Sequence, residues 1–234
     1  MTDKPPPEGS LGQKPFGPLR SYGRIKSRPI KPRQAGLMET LLPKIAVDLS
    51  DPLGGWSGPA WLEIGFGGGE HMAAQAGCAP GVRILGAEPF VNGVASAVRH
   101  VAEQGLEANV RIHHGDAREL VAALPSGSLE RVFILFPDPW PKTRHHKRRI
   151  VQPELLAELA RALKPDGRLR FATDWADYAD WTLERVLASG LFDWPAERAD
   201  DWRSPPADHV TTRYEQKKLG DCAPVFLDFV KRGR

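Results

Sequence analysis

Four acidic residues stand at or just past the ends of short apolar runs: Glu63 in AWLEIG, Glu88 in RILGAE, Asp116 in VRIHHGD and Asp138 in RVFILFPD. After Glu63 the chain reads GFGGGEH, with glycines at 65, 67, 68 and 69 that let the backbone turn sharply and approach a ligand ahead of a helix N-terminus. The spacing is GxGxG behind an acid, unlike the GxGxxG of dinucleotide sites. A carboxylate there repels phosphate and attracts an ammonium or sulfonium ion. S-adenosylmethionine carries both cations and no phosphate, so Glu63, Gly65 and Gly67 are expected to face it. Glu88, 19 residues past Gly69, is placed to accept both ribose hydroxyls. Asp116 reads two ways, as a contact to an adenine amino group or as a plain N-cap of the following helix.

The fourth acid lies in FPDPWPKTRHHKRR, residues 136–149. Pro137 and Pro139 set φ on both sides of Asp138 and remove two amides, which stiffens the turn and holds its carboxylate. Trp140 offers a flat face for a base. Lys142, Arg144, Lys147, Arg148 and Arg149 would then meet phosphates. The formal net charge of +3 conceals an asymmetry: residues 1–33 carry +6, residues 142–149 carry +5, and the other 193 residues sum to −8. Two basic segments on an acidic body imply a polyanionic partner.

Residues 1–33, with seven prolines and four glycines, show no sustained periodicity and read as a disordered or extended arm. SYGRIKSRP at 21–29 is the part expected to order on a partner. We place the arm at 1–35 and a single domain at 36–234. A helix is expected over 36–49, bent at Pro43. Strand-like runs at 60–64, 83–88, 110–114, 131–136 and 168–174 alternate with helical patterns at 69–78, 90–104, 117–124, 150–163 and 176–189, and a last strand is expected at 224–230. Such alternation predicts an α/β doubly wound, mostly parallel sheet with an antiparallel last strand and chemistry at the strands' carboxyl ends. No run approaches the roughly 20 apolar residues of a membrane span. The only cysteines, Cys78 and Cys222, form no CxxC pattern and suit a reducing cytoplasm.

In order and spacing, LEIGFGGGEH, GAEPF, GDA, FPDPWPKTRHHKRR, ATDWADY and TTRYEQKKLG resemble the bacterial tRNA (guanine-N7-)-methyltransferases over roughly residues 20–232. The DPWPK(x)RHxKRR element is far more specific than the glycine loop. The resemblance implies a seven-stranded Rossmann-like sheet and methyl transfer from S-adenosylmethionine to N7 of guanine at position 46 in the tRNA variable loop. It places cofactor contacts on Glu63, Glu88, Asp116 and Asp138. Substrate contacts fall on Lys142, Asp174, Thr212, Arg213, Tyr214 and Glu215, and an RNA-binding segment on Arg144, His145, His146, Lys147, Arg148 and Arg149. Arg213–Tyr214 stands where Lys–Phe is common, and Pro89 at a variable position; neither changes a charge.

Guanine N7 has a free in-plane lone pair, so attack on a methyl group needs no prior deprotonation; alignment and a carboxylate near the developing cation are what help. Asp138 is the expected catalytic residue. Asp174 is a second candidate that also reads as an N-cap, and Glu215 could accept from guanine N1–H and N2–H. His145 and His146 read as RNA-facing or structural. No metal and no obligatory protein partner are expected, and the chain is read as a monomer or homodimer. An exocyclic-amine methyltransferase would carry (D/N)PP(Y/F/W) rather than DPWP. A small-molecule methyltransferase would not need the basic segments, and an RNA-binding module would not need Glu63, Gly65, Gly67 and Glu88 together.

Overall fold

The computed structural model describes residues 29–233, so most of the basic arm, residues 1–28, lies outside the described residues. Where one expected helix spans 36–49, two short ones occur, α1 (Pro32–Thr40) and α2 (Leu42–Ile45). Pro32 opens α1 and Pro43 is the second residue of α2, each where a missing amide costs nothing. The core then alternates: β1 (Ala60–Ile64), α3 (Glu70–Cys78), β2 (Arg83–Ala87), α4 (Val91–Gln104), β3 (Val110–His113), α5 (Ala117–Ala123), β4 (Leu129–Leu135), α6 (Pro153–Ala162), β5 (Leu163–Thr173) and α7 (Ala176–Ala188). After them come β6 (Phe192–Asp193), α8 (Asp200–Arg203), α9 (Arg213–Gln216) and β7 (Val225–Lys231). The helix expected at 150–163 starts only at Pro153, because the residue before a proline is pushed to extended φ/ψ, as Gln152 is. The basic run ahead of it forms a 3₁₀ turn, Thr143–Arg148.

The seven strands are ordered β3-β2-β1-β4-β5-β7-β6, with β7 antiparallel to both neighbours. β6 has two residues, too few for a periodic signal. The order reverses between β1 and β4, so the crevice of a doubly wound sheet opens at their carboxyl ends.

Period-two alternation sorts side chains to two faces. Leu62, Val132, Ile134, Leu169, Phe171 and Phe229 pack with Leu120, Leu156, Leu159 and Tyr178 on the face that carries α5, α6 and α7. On the other face Ile84 and Ile112 pack with Met72, Val94 and Val98 of α3 and α4. Beyond these helices, Phe133, Leu135, Ala172 and Phe226 form a third cluster, covered by Phe136 and Tyr214. That third patch is where the fold departs from simple helix layers, and it borders the crevice.

Candidate active site

A cleft of about 1550 Å³ opens at the switch point, lined among others by Glu63, Gly65, Gly67, Glu88, Asp116, Asp138, Trp140, Lys147, Arg148, Thr212, Arg213 and Tyr214. Single-ligand pockets run to roughly 1,000 Å³, so this volume suits a cofactor together with part of a second molecule. Its floor is the glycine loop. Gly69 caps α3 at φ 78°, and a Cβ there would lie 2.5 Å from that of Ala97. Gly93 has no counterpart among the sequence expectations: a Cβ there would lie 2.3 Å from the Gly67 carbonyl oxygen. The signal was a glycine at the start of an otherwise ordinary helix; its reason is the close approach of α4 to the loop.

Glu63 is 3% exposed, and its Oε2 lies 2.7 Å from His71 Nδ1. Glu88 accepts from the Gly67 and Phe90 amides, each at 2.9 Å. Burial raises the Glu88 pKa, opposed by those two amides and reinforced by the carboxylates of Asp138 and Glu63. Glu88 therefore feels two further carboxylates in one cleft, an arrangement that a cationic ligand relieves. Asp116 is the N-cap of α5, accepting from the Arg118 amide at 3.0 Å, and it also holds the Arg118 guanidinium at 2.9 and 2.6 Å. Burial pushes its carboxyl up, but the Arg118 contacts outweigh burial and the net shift is downward. The N-cap reading is thus realised, with the residue still lining the cleft.

Asp138 sits between two non-glycine residues at positive φ, Phe136 (50°) and Trp140 (45°), a conformation that costs about 1–3 kcal/mol each. The surroundings hold it. Phe136 donates its amide to Ala172 O at 2.7 Å and packs against Phe226 and Tyr214. Arg149 donates Nε–H to Pro139 O at 2.9 Å and reaches the Asp177 carboxylate, with its guanidinium over the Tyr178 and Trp181 rings. Arg149 is 2% exposed. Arg149, expected in the RNA-binding segment, thus has its donors engaged by Pro139 O and by Asp177 of α7 at the edge of the cleft.

The rest of the basic run divides. Lys142, Arg144 and Lys147 are exposed. Arg148 lies over the Trp140 ring, 4.9 Å from its centroid, and His145 meets the same ring edge-on. His145 is displaced toward its neutral form by desolvation and then by Arg148, Arg144, Lys142 and Lys147. His146 packs edge-on against Trp181 and faces Asp177 at 3.5 Å, so of its two expected roles the structural one is seen.

Asp174 and Glu215, two further expected substrate contacts, are not among the residues lining the cleft. Asp174 does not cap α7: the Ala176 amide bonds to Asp221 Oδ1 at 2.9 Å, from 45 residues away. Asp174 Oδ2 accepts from the Gly220 amide at 2.9 Å, its carbonyl accepts from Cys222 N, and its Oδ1 is buried without a partner. Asp174 thus anchors the loop behind α9. Glu215 is not free to meet a guanine edge, because it closes a capping box with Thr212 and takes His209 Nε2 on both oxygens at 2.9 and 3.0 Å. Of the Thr212–Glu215 group, Thr212, Arg213 and Tyr214 line the cleft. Burial, with Asp174 and Asp138 nearby, raises the Tyr214 hydroxyl pKa, so it stays a donor at neutral pH.

A family model described as "Putative methyltransferase" matches residues 57–226. A protein of Caulobacter sp. (strain K31) named tRNA (guanine-N(7)-)-methyltransferase is 66% identical over 223 residues, covering 94% of this chain and 98% of its own. A Hyphomonas neptunium protein of the same name is 51% identical over 223 residues, covering 90% and 99%. Among solved structures, a 16S rRNA (adenine(1408)-N(1))-methyltransferase from Catenulisporales acidiphilia superposes with a TM-score of 0.53 at 15% identity, over 89% of this chain and 97% of that one. At that identity the likeness is one of fold.

Proposed function

Because the chain belongs to the tRNA (guanine-N(7)-)-methyltransferase family, we propose that it transfers a methyl group from S-adenosylmethionine to N7 of guanine 46 in the variable loop of tRNA. The observation that carries this reading is the meeting, in one cleft, of the carboxylates of Glu63, Glu88 and Asp138 with an aromatic and cationic rim. The carboxylates suit a cationic methyl donor and the rim suits a phosphate-bearing base.

In this reading Glu63 takes the amino-acid ammonium, Glu88 the ribose hydroxyls, and the Gly65–Gly67 backbone the space between them. Asp116 offers its remaining acceptor capacity to the adenine amino group. Bound S-adenosylmethionine supplies an electrophilic methyl group. Trp140 and Tyr214 flank the guanine, and Lys142, Arg144, Lys147 and Arg148 meet the tRNA phosphates. Asp138 faces the purine, whose ring becomes cationic as N7 is alkylated, and stabilises that charge through a pre-set loop.

Glu88 gives the reading a pH signature. Its raised pKa means that the proton returns above the usual carboxylate range, and a protonated Glu88 loses acceptor capacity for the ribose hydroxyls. Affinity for S-adenosylhomocysteine, measured calorimetrically, is expected to weaken as pH falls into and below that range, and Glu88→Gln should remove the acid limb. An unaltered acid limb in the variant would assign it to another group.

The deciding experiment incubates the chain with unmodified tRNA and methyl-labelled S-adenosylmethionine, then treats the RNA with borohydride and aniline, which cleave at 7-methylguanosine. One cut in the variable loop is expected. Label without a cut would move the methyl off N7; no label, with cofactor bound, would change the acceptor.

A further inference from the structure

Helix α3 begins at the glycine loop and turns a polar stripe toward the interior: Glu70, His71 and, one turn on, Gln75. The stripe is continuous with both walls of the cleft. His71 Nδ1 lies 2.7 Å from Glu63 Oε2, and Gln75 Nε2 lies 3.2 Å from His71 Nε2 and 2.7 Å from the carbonyl oxygen of Asp208. Glu63, His71 and Gln75 are all at least nine-tenths buried. Donors and acceptors can be assigned throughout. Ionised Glu63 accepts Nδ1–H, which leaves His71 Nε2 as an acceptor. The two Gln75 amide hydrogens then go one to His71 and one to Asp208. A flipped Gln75 would set its own oxygen against the Asp208 carbonyl, so the chain has a single consistent direction.

Asp208 belongs to the segment that carries Thr212–Tyr214. Its carboxylate is gripped by Arg131 at 2.7 Å and Arg170 at 2.6 Å, and Arg170 also holds Asp228. The segment lies over the third apolar cluster through His209, 4.8 Å from the Phe226 ring centroid, and Tyr214. Arg213 adds a second strap to α3 through Glu70 at 2.7 Å. Nothing in the proposed reaction uses His71 or Gln75, yet they spend buried polar groups on joining the two walls.

We propose that Gln75 is a positioning residue that couples the cofactor carboxylate Glu63 to the substrate-binding segment, so that occupation of the cofactor site strengthens binding of tRNA. The proposal rests on the functional reading above. A cation at Glu63 fixes the orientation of that carboxylate, which holds His71 in the tautomer that orders Gln75 and seats Asp208. Linkage requires the reverse effect as well: tRNA must tighten the cofactor by the same factor.

The test measures the tRNA Kd of the full chain without and with saturating S-adenosylhomocysteine. The parent is expected to bind tRNA about fivefold or more tightly when loaded. In Gln75→Met, a near-isostere without donors, and in Gln75→Glu the ratio should fall to about one, with S-adenosylhomocysteine affinity in the absence of tRNA held within about threefold. A purely structural role would weaken both ligands and leave the ratio intact. A ratio of one in the parent, or an unchanged ratio in both variants, overturns the proposal. A second measurement needs no variant: in the parent, amide exchange over residues 207–216 should slow when S-adenosylhomocysteine is added. Unchanged exchange overturns the coupling. Failure of the parent to bind tRNA sinks the functional reading instead, and the exchange result then decides the coupling by itself.

Discussion

Asp138→Ala is expected to lower kcat by roughly 10²–10³-fold, the scale of losing one pre-set electrostatic partner of a transition state, while the tRNA Kd changes much less. The loop explains why the effect falls on turnover. Asp138 is held between two prolines and two residues at positive φ, with Phe136 anchored to Ala172 and Pro139 anchored to Arg149. Such a carboxylate is positioned before the guanine arrives, so it offers little to ground-state binding and most to the cation that develops on the ring. Single-turnover kinetics with measured tRNA affinity separate the two effects, and equal losses in both would assign Asp138 to binding alone. Since N7 needs no deprotonation, parent turnover should be nearly flat from about pH 6.5 to 9 at saturating ligands. A steep rise with a pKa near 7 would demand a base.

Arg149→Met should behave unlike loss of any other cation in the basic run. Its guanidinium is buried, bonded to Pro139 O and Asp177 and sandwiched against Tyr178 and Trp181. Removing it frees the strained loop and is expected to cost about 2 kcal/mol of stability, less than a fully buried pair because Asp177 keeps contact with water. kcat should fall about 10- to 100-fold, as expected when a catalytic group drifts by an ångström. The slope of log K against log salt for tRNA should not move. Lys147→Ala, at an exposed position, should reduce that slope by about 0.7–0.9 with little change in kcat. If Arg149→Met flattened the slope by that amount and spared kcat, Arg149 would be an RNA contact after all.

Much of the architecture was legible in the chain itself, for a physical reason. A parallel strand buried on both faces must be apolar along its length, as residues 84–87 of β2 are, and a helix packed on a sheet must show one apolar stripe, as α6 does. Both patterns are local and survive in the sequence. So do the acids at strand ends and the glycine-rich turn, because backbone geometry at those points admits few residue types. The amphipathic pattern begins at 150 while α6 begins at Pro153, since such a pattern does not show where its first hydrogen bond forms, and the 3₁₀ turn at 143–148 carries no periodic signal.

Which charged groups face inward was decided only by tertiary structure. Arg149 looks like its neighbours Arg148 and Lys147, and is buried because Asp177 and Tyr178, 28 and 29 residues on, arrive beneath it. Glu215 is the local exception: its capping box with Thr212 lies within one helical turn, and His209, six residues back, takes the same carboxylate. Asp174 looks like an N-cap, and yields that place to Asp221. His71 and Gln75 look like a polar turn of an unremarkable helix, and become a bridge because Asp208, 133 residues from Gln75, crosses that face of the sheet. All the strands but β6, their alternation and the acids at their ends are written in the chain, because those follow from periodicity and backbone sterics within a few residues. The commitment of Arg149, Asp174 and Gln75, and with it the division of the basic run into exposed and buried parts, depends on desolvation by partners distant in the chain.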